Sequence, residues 1–416
     1  MASSQKTYAL VGCGGRGLYM YITAIVKNFQ KTARLVGLCD VNQGRMDYCN
    51  RSLQTNIPTF TDFDQMMKQA RPDVVIVTTK DSMHHEFILR AFEHGCDAIS
   101  EKPMTIDDGK CRAILAAEKK TGRKVTVTFN YRFAPYVTKI RELIAQGAIG
   151  RVLSVDFDYK LNRSHGADYF RRWHRRKENS GGLLVHKSTH HFDLVNWWIG
   201  QEPVEVFALG SRQFYGPTRK ERGERCLTCD HKKTCEFYFD INAPVDAGTM
   251  IFEFGELYAK VEQYDGYFRD RCVFSDDINI EDTMNLTVRY SGGTQMSYSL
   301  NAHCTYEGWK IAFNGTEGRL EAAEGHGGPF VPSDTQNIVV HRWNKPSETI
   351  PVTAELYDHG GGDHRLLNML FDGPRPDPLG HMATSHAGAM SILTGIAANH
   401  SIAEGRPIEI SRLLRG

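Results

Sequence analysis

Residues Tyr8-Ala9-Leu10-Val11-Gly12-Cys13-Gly14-Gly15-Arg16-Gly17 constrain what this chain can fold into more than any other stretch. A short apolar run leads straight into G-x-G-x-x-G, and a helix-competent segment follows. That order sets the pyrophosphate of a dinucleotide on a helix N-terminus, where unpaired backbone N–H groups and the helix dipole favour an anion. Gly12 permits the tight turn, Gly14 lets the backbone approach the phosphates, and Gly17 lets helix and strand pack closely; Gly15 and Arg16 complete the loop. Taken alone the pattern is weak, since any glycine-rich turn can satisfy it. Here Leu35-Val36-Gly37-Leu38-Cys39 reads as a second buried strand, with Asp40 at its end. An acid about 20 residues beyond the glycines is placed to accept hydrogen bonds from the adenosine ribose hydroxyls. Together these features imply a dinucleotide-binding unit.

The first third continues the same alternation. Asp62 caps a helix that runs to Ala70 and is ended by Arg71-Pro72. Asp73-Val74-Val75-Ile76-Val77-Thr78 is almost wholly apolar, as a parallel strand buried on both faces must be. A helix over Glu86–Glu93 stops at Gly95, and Asp97–Ser100 and Val125–Phe129 read as further strands. Repeated βα units imply a doubly wound Rossmann sheet over residues 1–127. At 416 residues the chain is too long for one ordinary core, so a second domain over 128–416 is expected. There strand-like alternation appears at Leu153–Tyr159, Val204–Leu209, Thr249–Phe254, Asn285–Tyr290, Thr294–Leu300 and Ile311–Phe313, separated by turn signals such as Ser291-Gly292-Gly293. This second part reads as an α+β domain with a largely antiparallel open sheet and a few helices, the strongest over Leu183–Ile199.

Composition narrows the partners. Hydrophobic content of 41%, charged content of 24% and a net charge of +1 describe a soluble globular protein with neither a nucleic-acid nor an acidic-membrane partner. The basic and aromatic run from Tyr169 to Arg176 is too short to change that. No apolar run approaches the ~20 residues of a membrane span, and no secretory h-region precedes the first strand. The 10 cysteines are scattered, several in buried-looking positions (Cys13, Cys39, Cys96), which argues for reduced thiols and a cytoplasmic setting. A leader removed before this chain begins stays compatible with all of this.

Further stretches carry a resemblance. Thr79-Lys80-Asp81-Ser82-Met83-His84 follows one buried strand, Glu101-Lys102-Pro103 follows the next, and Asn130-Tyr131-Arg132 opens the second domain. Then comes Gly181-Gly182-Leu183-Leu184-Val185-His186-Lys187-Ser188-Thr189-His190-His191-Phe192-Asp193, and later Gly315-Thr316-Glu317-Gly318. With the glycine loop, these resemble the glucose–fructose oxidoreductase/inositol dehydrogenase (Gfo/Idh/MocA) family over essentially the whole chain. The resemblance implies oxidation or reduction of a ring hydroxyl or keto group of a sugar or glycoside with a nicotinamide cofactor, in a homodimer or homotetramer. It implies cofactor contacts from Thr79, His84, Glu101 and Lys102, and catalytic roles for Lys102 and His190. The chemistry agrees: hydride leaves a secondary alcohol carbon only as the hydroxyl proton departs, so a base of near-neutral pKa is needed. A neighbouring ammonium steadies the developing alkoxide.

Where the family usually has an aspartate, four residues before the histidine, this chain has His186. On one continuous helix His186 and His190 share a face, with Asp193 a turn further on. Three readings stand: His186 as proton relay or sugar partner, which is favoured; His186 as passive packing; or a metal held by His186, His190 and Asp193. Arg132, Arg172, Trp173 and Lys187 are further candidates for the substrate pocket, with His359-Gly360-Gly361-Gly362-Asp363-His364 as a loop that closes over it. Lys80, where the family commonly has proline, reads equally as a cofactor contact or an exposed lysine. Asp40 favours NAD, while Arg45 keeps NADP open because it lies within reach of a 2′-phosphate. Cys226, Cys229 and Cys235 form C-x-x-C-x5-C, either three packed thiols or, with a fourth ligand such as Cys272, Cys304 or His231, a structural zinc site. Two rivals remain: a glycosidase that oxidises its substrate only transiently before elimination, and a silent dinucleotide-binding sensor.

Overall fold

The computed structural model describes residues 5–246, 251–331, 333–355, 358–373 and 375–415. Its first sheet is built from β1 (Lys6–Val11), β2 (Ala33–Cys39), β3 (Thr59–Phe60), β4 (Val74–Val77), β5 (Asp97–Ser100) and β6 (Val125–Val127), parallel and in the order β6-β5-β4-β1-β2-β3. The chain winds one way from β1 to β3 and the other way from β4 to β6. The crevice of such a sheet opens at the strand ends where the winding reverses, between β1 and β4. All four residues of β4 are buried, because helices cover both faces. Local signals act as the residues dictate: the Asp62 carboxylate accepts from Gln65 N at 2.6 Å to start helix Phe63–Ala70, and Asp107 does the same for Asp108–Thr121.

The later strands are β7 (Val152–Asn162), β8 (Pro203–Ser211), the short pair β9 (Val245–Asp246) and β10 (Ile251–Phe252), then β11 (Thr283–Tyr290), β12 (Gln295–Cys304), β13 (Glu307–Gly315), β14 (Gly318–His326), β15 (Thr335–Arg342), β16 (Glu348–Thr353), β17 (Ala383–Thr384) and β18 (Ile408–Glu409). Nine strands form one sheet in the order β16-β15-β14-β13-β7-β12-β11-β8-β18, antiparallel except for the β7–β12 pair. Its outer face carries Asp156, Asp158, Thr287 and Ser297 beside exposed Phe207 and Leu209, the last 64% accessible. β17 lies outside that sheet and pairs antiparallel with β6, at the edge of the first sheet.

Two differences from the sequence reading have physical causes. The helix expected over Leu183–Ile199 is two helices, Leu183–His186 and Thr189–Ile199. The ladder slips between them: Ser188 N reaches back to Leu183 O while His190 N bonds Lys187 O, and Ser188 Oγ is tied to the Tyr298 hydroxyl at 2.9 Å. Helix Ser385–Glu404 is the longest among the described residues. It is capped by the Thr384 hydroxyl and ended by Gly405, and it is buried on nearly every side, so no amphipathic period announces it. Glycine at 388 and 395 lets it lie directly on Val127 and on the Leu184 carbonyl, leaving no room for a Cβ. The strand expected at Thr249–Phe254 falls partly outside the described residues; its described part is β10 and the start of helix Phe254–Leu257.

Candidate active site

The glycine loop occupies the crevice. Gly12 holds φ +96°, and a Cβ there would fall 2.6 Å from the Thr78 carbonyl carbon; a Cβ on Gly17 would strike the Gly12 carbonyl oxygen. The chain then opens into wide helical turns over Gly17–Ile22 and continues as α-helix over Thr23–Lys27. Gly15 N–H donates to the Tyr258 hydroxyl at 2.7 Å, so a polar oxygen already faces this amide. Asp40 ends β2, its oxygens accepting from Cys13 N (2.7 Å) and Asn42 N (2.9 Å). Burial raises its carboxyl pKa, and Arg45 at 3.5 Å opposes that. A collar of backbone with no space for side chains, leading to a helix start and an anchored acid, fits a dinucleotide.

Lys102 follows β5 at the same strand ends. Glu101 beside it is buried and accepts from Arg16 Nε and the Tyr21 hydroxyl, both at 2.7 Å. Burial opposes its charge, but Arg16, Tyr21 and Lys102 hold it below the usual carboxylate range. Arg16 and Glu101 therefore brace each other. Lys102 Nζ donates to the His186 carbonyl at 3.4 Å, and burial, then Lys187, push its pKa down to about 8. His190 lies between the rings of Phe129 and Tyr131 (each 6.2 Å between centroids) and 6.1 Å from His359. Its Nδ1 is buried without a hydrogen-bond partner, and burial, Lys102 and Lys187 push its pKa well below 6.5, so the ring is neutral at pH 7. Lys187 sits 5.4 Å above the Tyr159 ring, its pKa also lowered by burial.

The break in the helix separates the two histidines. His186 Nδ1 meets Asp81 Oδ2 at 2.5 Å, and its ring packs 4.2 Å from His174 and 6.0 Å from Trp173. Burial raises the Asp81 carboxyl pKa and lowers that of His186, so it favours the neutral form of each group. Asp193 instead forms a two-bond bridge to Arg132, at 2.7 and 2.6 Å, both side chains buried. His186, His190 and Asp193 are thus not gathered around one point. Among the described residues no group of three or more His, Cys, Asp or Glu side chains is arranged to hold a metal.

Other candidates are placed differently from the sequence reading. Arg132 donates to Asp193 and to Gly380 O, which makes it a cross-brace rather than a lining residue of the pocket. His84 is buried, its two ring nitrogens 2.8 Å from Pro103 O and 3.1 Å from Thr79 O; it fastens the two strand-end loops to each other. Arg172 is bound to Asp168 at 2.9 Å, and Trp173 stacks on His174 at 3.6 Å, both at the His186 end of the site. Lys80 is exposed. His359 bonds Asp363 at 3.0 Å, and its ring lies 6.1 Å from that of His190. Cys226 Sγ accepts from Arg171 and Cys235 Sγ from Arg219, each at 3.0 Å, and all ten cysteines are free. Asp81, His174, Tyr258 and Asp265 were missed. Only Asp81, at the end of β4, carried a sequence signal, since ligands bind where parallel strands end.

Residues 6–129 match the family model described as "Oxidoreductase family, NAD-binding Rossmann fold", and residues 141–410 match its "C-terminal alpha/beta domain". The chain belongs to the Gfo/Idh/MocA oxidoreductase family. It is 38% identical over 425 residues to YteT of Bacillus subtilis, a protein named as an oxidoreductase, with 99% of each chain covered. It is 29% identical over 204 residues to an inositol 2-dehydrogenase of Rhizobium meliloti, covering 49% of this chain and 58% of that one. Its fold matches an oxidoreductase from Agrobacterium radiobacter solved with NAD+, L-tartaric acid and magnesium, with TM-score 0.68, 15% identity, and 99% and 100% of the two chains covered. As a member of this family the chain is an oxidoreductase with a nicotinamide-binding Rossmann domain. Among the described residues no helix is long and apolar enough to cross a membrane.

Proposed function

We propose that this family member is an NAD-dependent dehydrogenase that oxidises or reduces a ring hydroxyl or keto group of a sugar or glycoside. The observation that carries the reading is His190: a neutral imidazole with a buried, unpartnered Nδ1, close enough to feel the charge of Lys102, which follows β5 at the parallel-strand ends. The nicotinamide, when bound, supplies the hydride acceptor or donor. His190 takes the hydroxyl proton in oxidation and returns it in reduction. The Lys102 ammonium, tethered to the His186 carbonyl, steadies the oxygen as it gains negative charge. Gly12, Gly14, Gly15 and Gly17 hold the pyrophosphate, Asp40 the adenosine ribose, and Thr79 the nicotinamide side. Tyr131 and His359 pack beside the His190 ring, and Trp173 packs beside His186. Asp81 fixes the His186 ring, which makes His186 a positioning residue for Lys102 through its carbonyl.

A second reading has its own observation: Lys187, a half-buried amine of lowered pKa whose charge acts on Lys102, is a second base of the kind an oxidation–elimination glycosidase uses to remove a ring C–H proton. Incubating the pure protein and NAD with free sugars and aryl glycosides separates the two. Reduced nicotinamide accumulating without aglycone supports the dehydrogenase, and aglycone without reduced nicotinamide supports the glycosidase. Neither product, with NAD bound, overturns both.

A further inference from the structure

The ribose end of the crevice is covered by a segment that comes from far along the chain. Residues 251–267 leave β10, form helix Phe254–Leu257 and a tight turn of helix over Ala259–Tyr264, and lie across the glycine loop and the start of helix Gln43–Leu53. The approach is close: a Cβ on Gly44 would fall 2.5 Å from Val261 Cγ1, and Gly15 N–H bonds the Tyr258 hydroxyl. Asn42, the cap of that helix, donates to Val261 O at 2.9 Å and Asp265 Oδ1 at 3.1 Å.

Arg45 is where this segment bears on cofactor choice. A guanidinium just past the ribose-binding acid is the group that meets the 2′-phosphate of NADP, provided it can turn to it. Here Arg45 is buried, one end 3.5 Å from Asp40 and the other 2.7 Å from Asp265. Its guanidinium carbon lies 5.4 Å from the Tyr258 ring centroid and 5.6 Å from that of Tyr267. Its charge is therefore already matched, and two carboxylates rather than one face the 2′ position.

We propose that Asp265, delivered by the 251–267 segment, is a cofactor-specificity residue that selects NAD over NADP by holding Arg45 and adding a second negative charge beside Asp40. This rests on the dehydrogenase reading above and deepens it. A 2′-phosphate brought here meets two carboxylates without a free guanidinium, whereas a 2′-hydroxyl donates to Asp40 undisturbed.

The test is calorimetric binding of NAD and of NADP to the full-length protein and to Asp265→Asn, which keeps the shape and removes the charge. NADP affinity is expected to rise about tenfold, or about 1.4 kcal/mol, while NAD affinity changes less than about threefold. Adding Arg45→Leu to Asp265→Asn should lower that gain, because the released guanidinium supplies part of it and the lost carboxylate charge the rest. Asp265→Ser is measured in parallel, so that a folding defect in one substitution does not decide the outcome. An NADP-to-NAD ratio unchanged in both folded Asp265 variants overturns the inference and leaves the dehydrogenase reading standing. If the unaltered protein binds neither nucleotide, the dehydrogenase reading falls first.

Discussion

Replacing Lys187 by Gln tests the electrostatics of the site directly. The Lys102 ammonium is pushed down to about 8 from the 10.5 of a free amine, first by burial and next by Lys187, with Glu101 and Asp81 pulling the other way. Lys187 is the second cause of that lowering, and a neighbouring like charge moves a pKa by about one unit, so removing it should carry the Lys102 ammonium upward by about one pH unit. One pH unit corresponds to about 1.4 kcal/mol between the charged and neutral forms. The sign follows from the proposed role: below its pKa Lys102 is charged and steadies the substrate oxygen, and above it that charge is gone. The alkaline limb of kcat/KM should therefore lie near pH 8 in the unaltered enzyme and near pH 9 (roughly) in Lys187→Gln. His190 is lowered by the same lysine, so the acid limb should move upward too. The assay is absorbance of reduced nicotinamide at saturating NAD across the pH range, with NAD affinity followed at each point. Lys187→Arg keeps the charge and should leave both limbs in place. The profile may not be read from its height, since Lys187 can touch substrate; only the positions of the limbs count. Limbs that stay put in Lys187→Gln, or that move equally in Lys187→Arg, refute the argument.

Lys102→Ala and His190→Ala should each lower kcat on the order of 10²-fold or more while NAD affinity by calorimetry stays within about threefold; near-full turnover in either removes that residue from the mechanism. His186→Asp places a second carboxylate against Asp81, whose pKa burial already raises. A carboxyl with a raised folded pKa binds its proton more tightly when folded, so the variant should lose stability as pH rises above the ordinary carboxylate range; urea midpoints flat with pH would contradict this. Asp193→Asn leaves the Arg132 charge buried with half of its bridge and should destabilise the fold by about 3–5 kcal/mol, read as a lower denaturation midpoint with NAD affinity of the folded fraction retained. Leu209→Lys on the open face of the nine-stranded sheet should dissociate a homodimer or homotetramer built on that face, measured by sedimentation; an unchanged mass excludes this face as the interface.

The first sheet was legible because its cues are local. Asp62 announced its helix, Asp97–Ser100 was bounded by Gly95 and Glu101, and the apolar β4 could only be a strand covered on both faces. Long-range geometry was hidden. The spacing of His186 and His190 implied a shared face, but Ser188, held by Tyr298 from another strand, breaks the helix between them. Arg132 read as a substrate arginine because its partner, Asp193, lies 61 residues away. Helix Ser385–Glu404 has no polar stripe because it is buried along most of its length, with exposure confined to positions near its ends such as His386, His400 and Glu404. Asp265 and Tyr258 reach the glycine loop through a fold-back that no window on the sequence spans.

β17 has a consequence for how such a chain can be cut or recombined. Without Ala383-Thr384, β6 would be the bare margin of the parallel sheet, presenting unpaired N–H and C=O groups to any passing strand. Those two residues sit more than two hundred positions downstream, just before the helix that packs on Val127 through Gly388. The parallel sheet is thus finished by a segment synthesised more than two hundred residues after β6. A ribosome releasing only the first 127 residues would release a sheet with a sticky rim, so the parallel sheet has reason to remain in the company of residues 383–384.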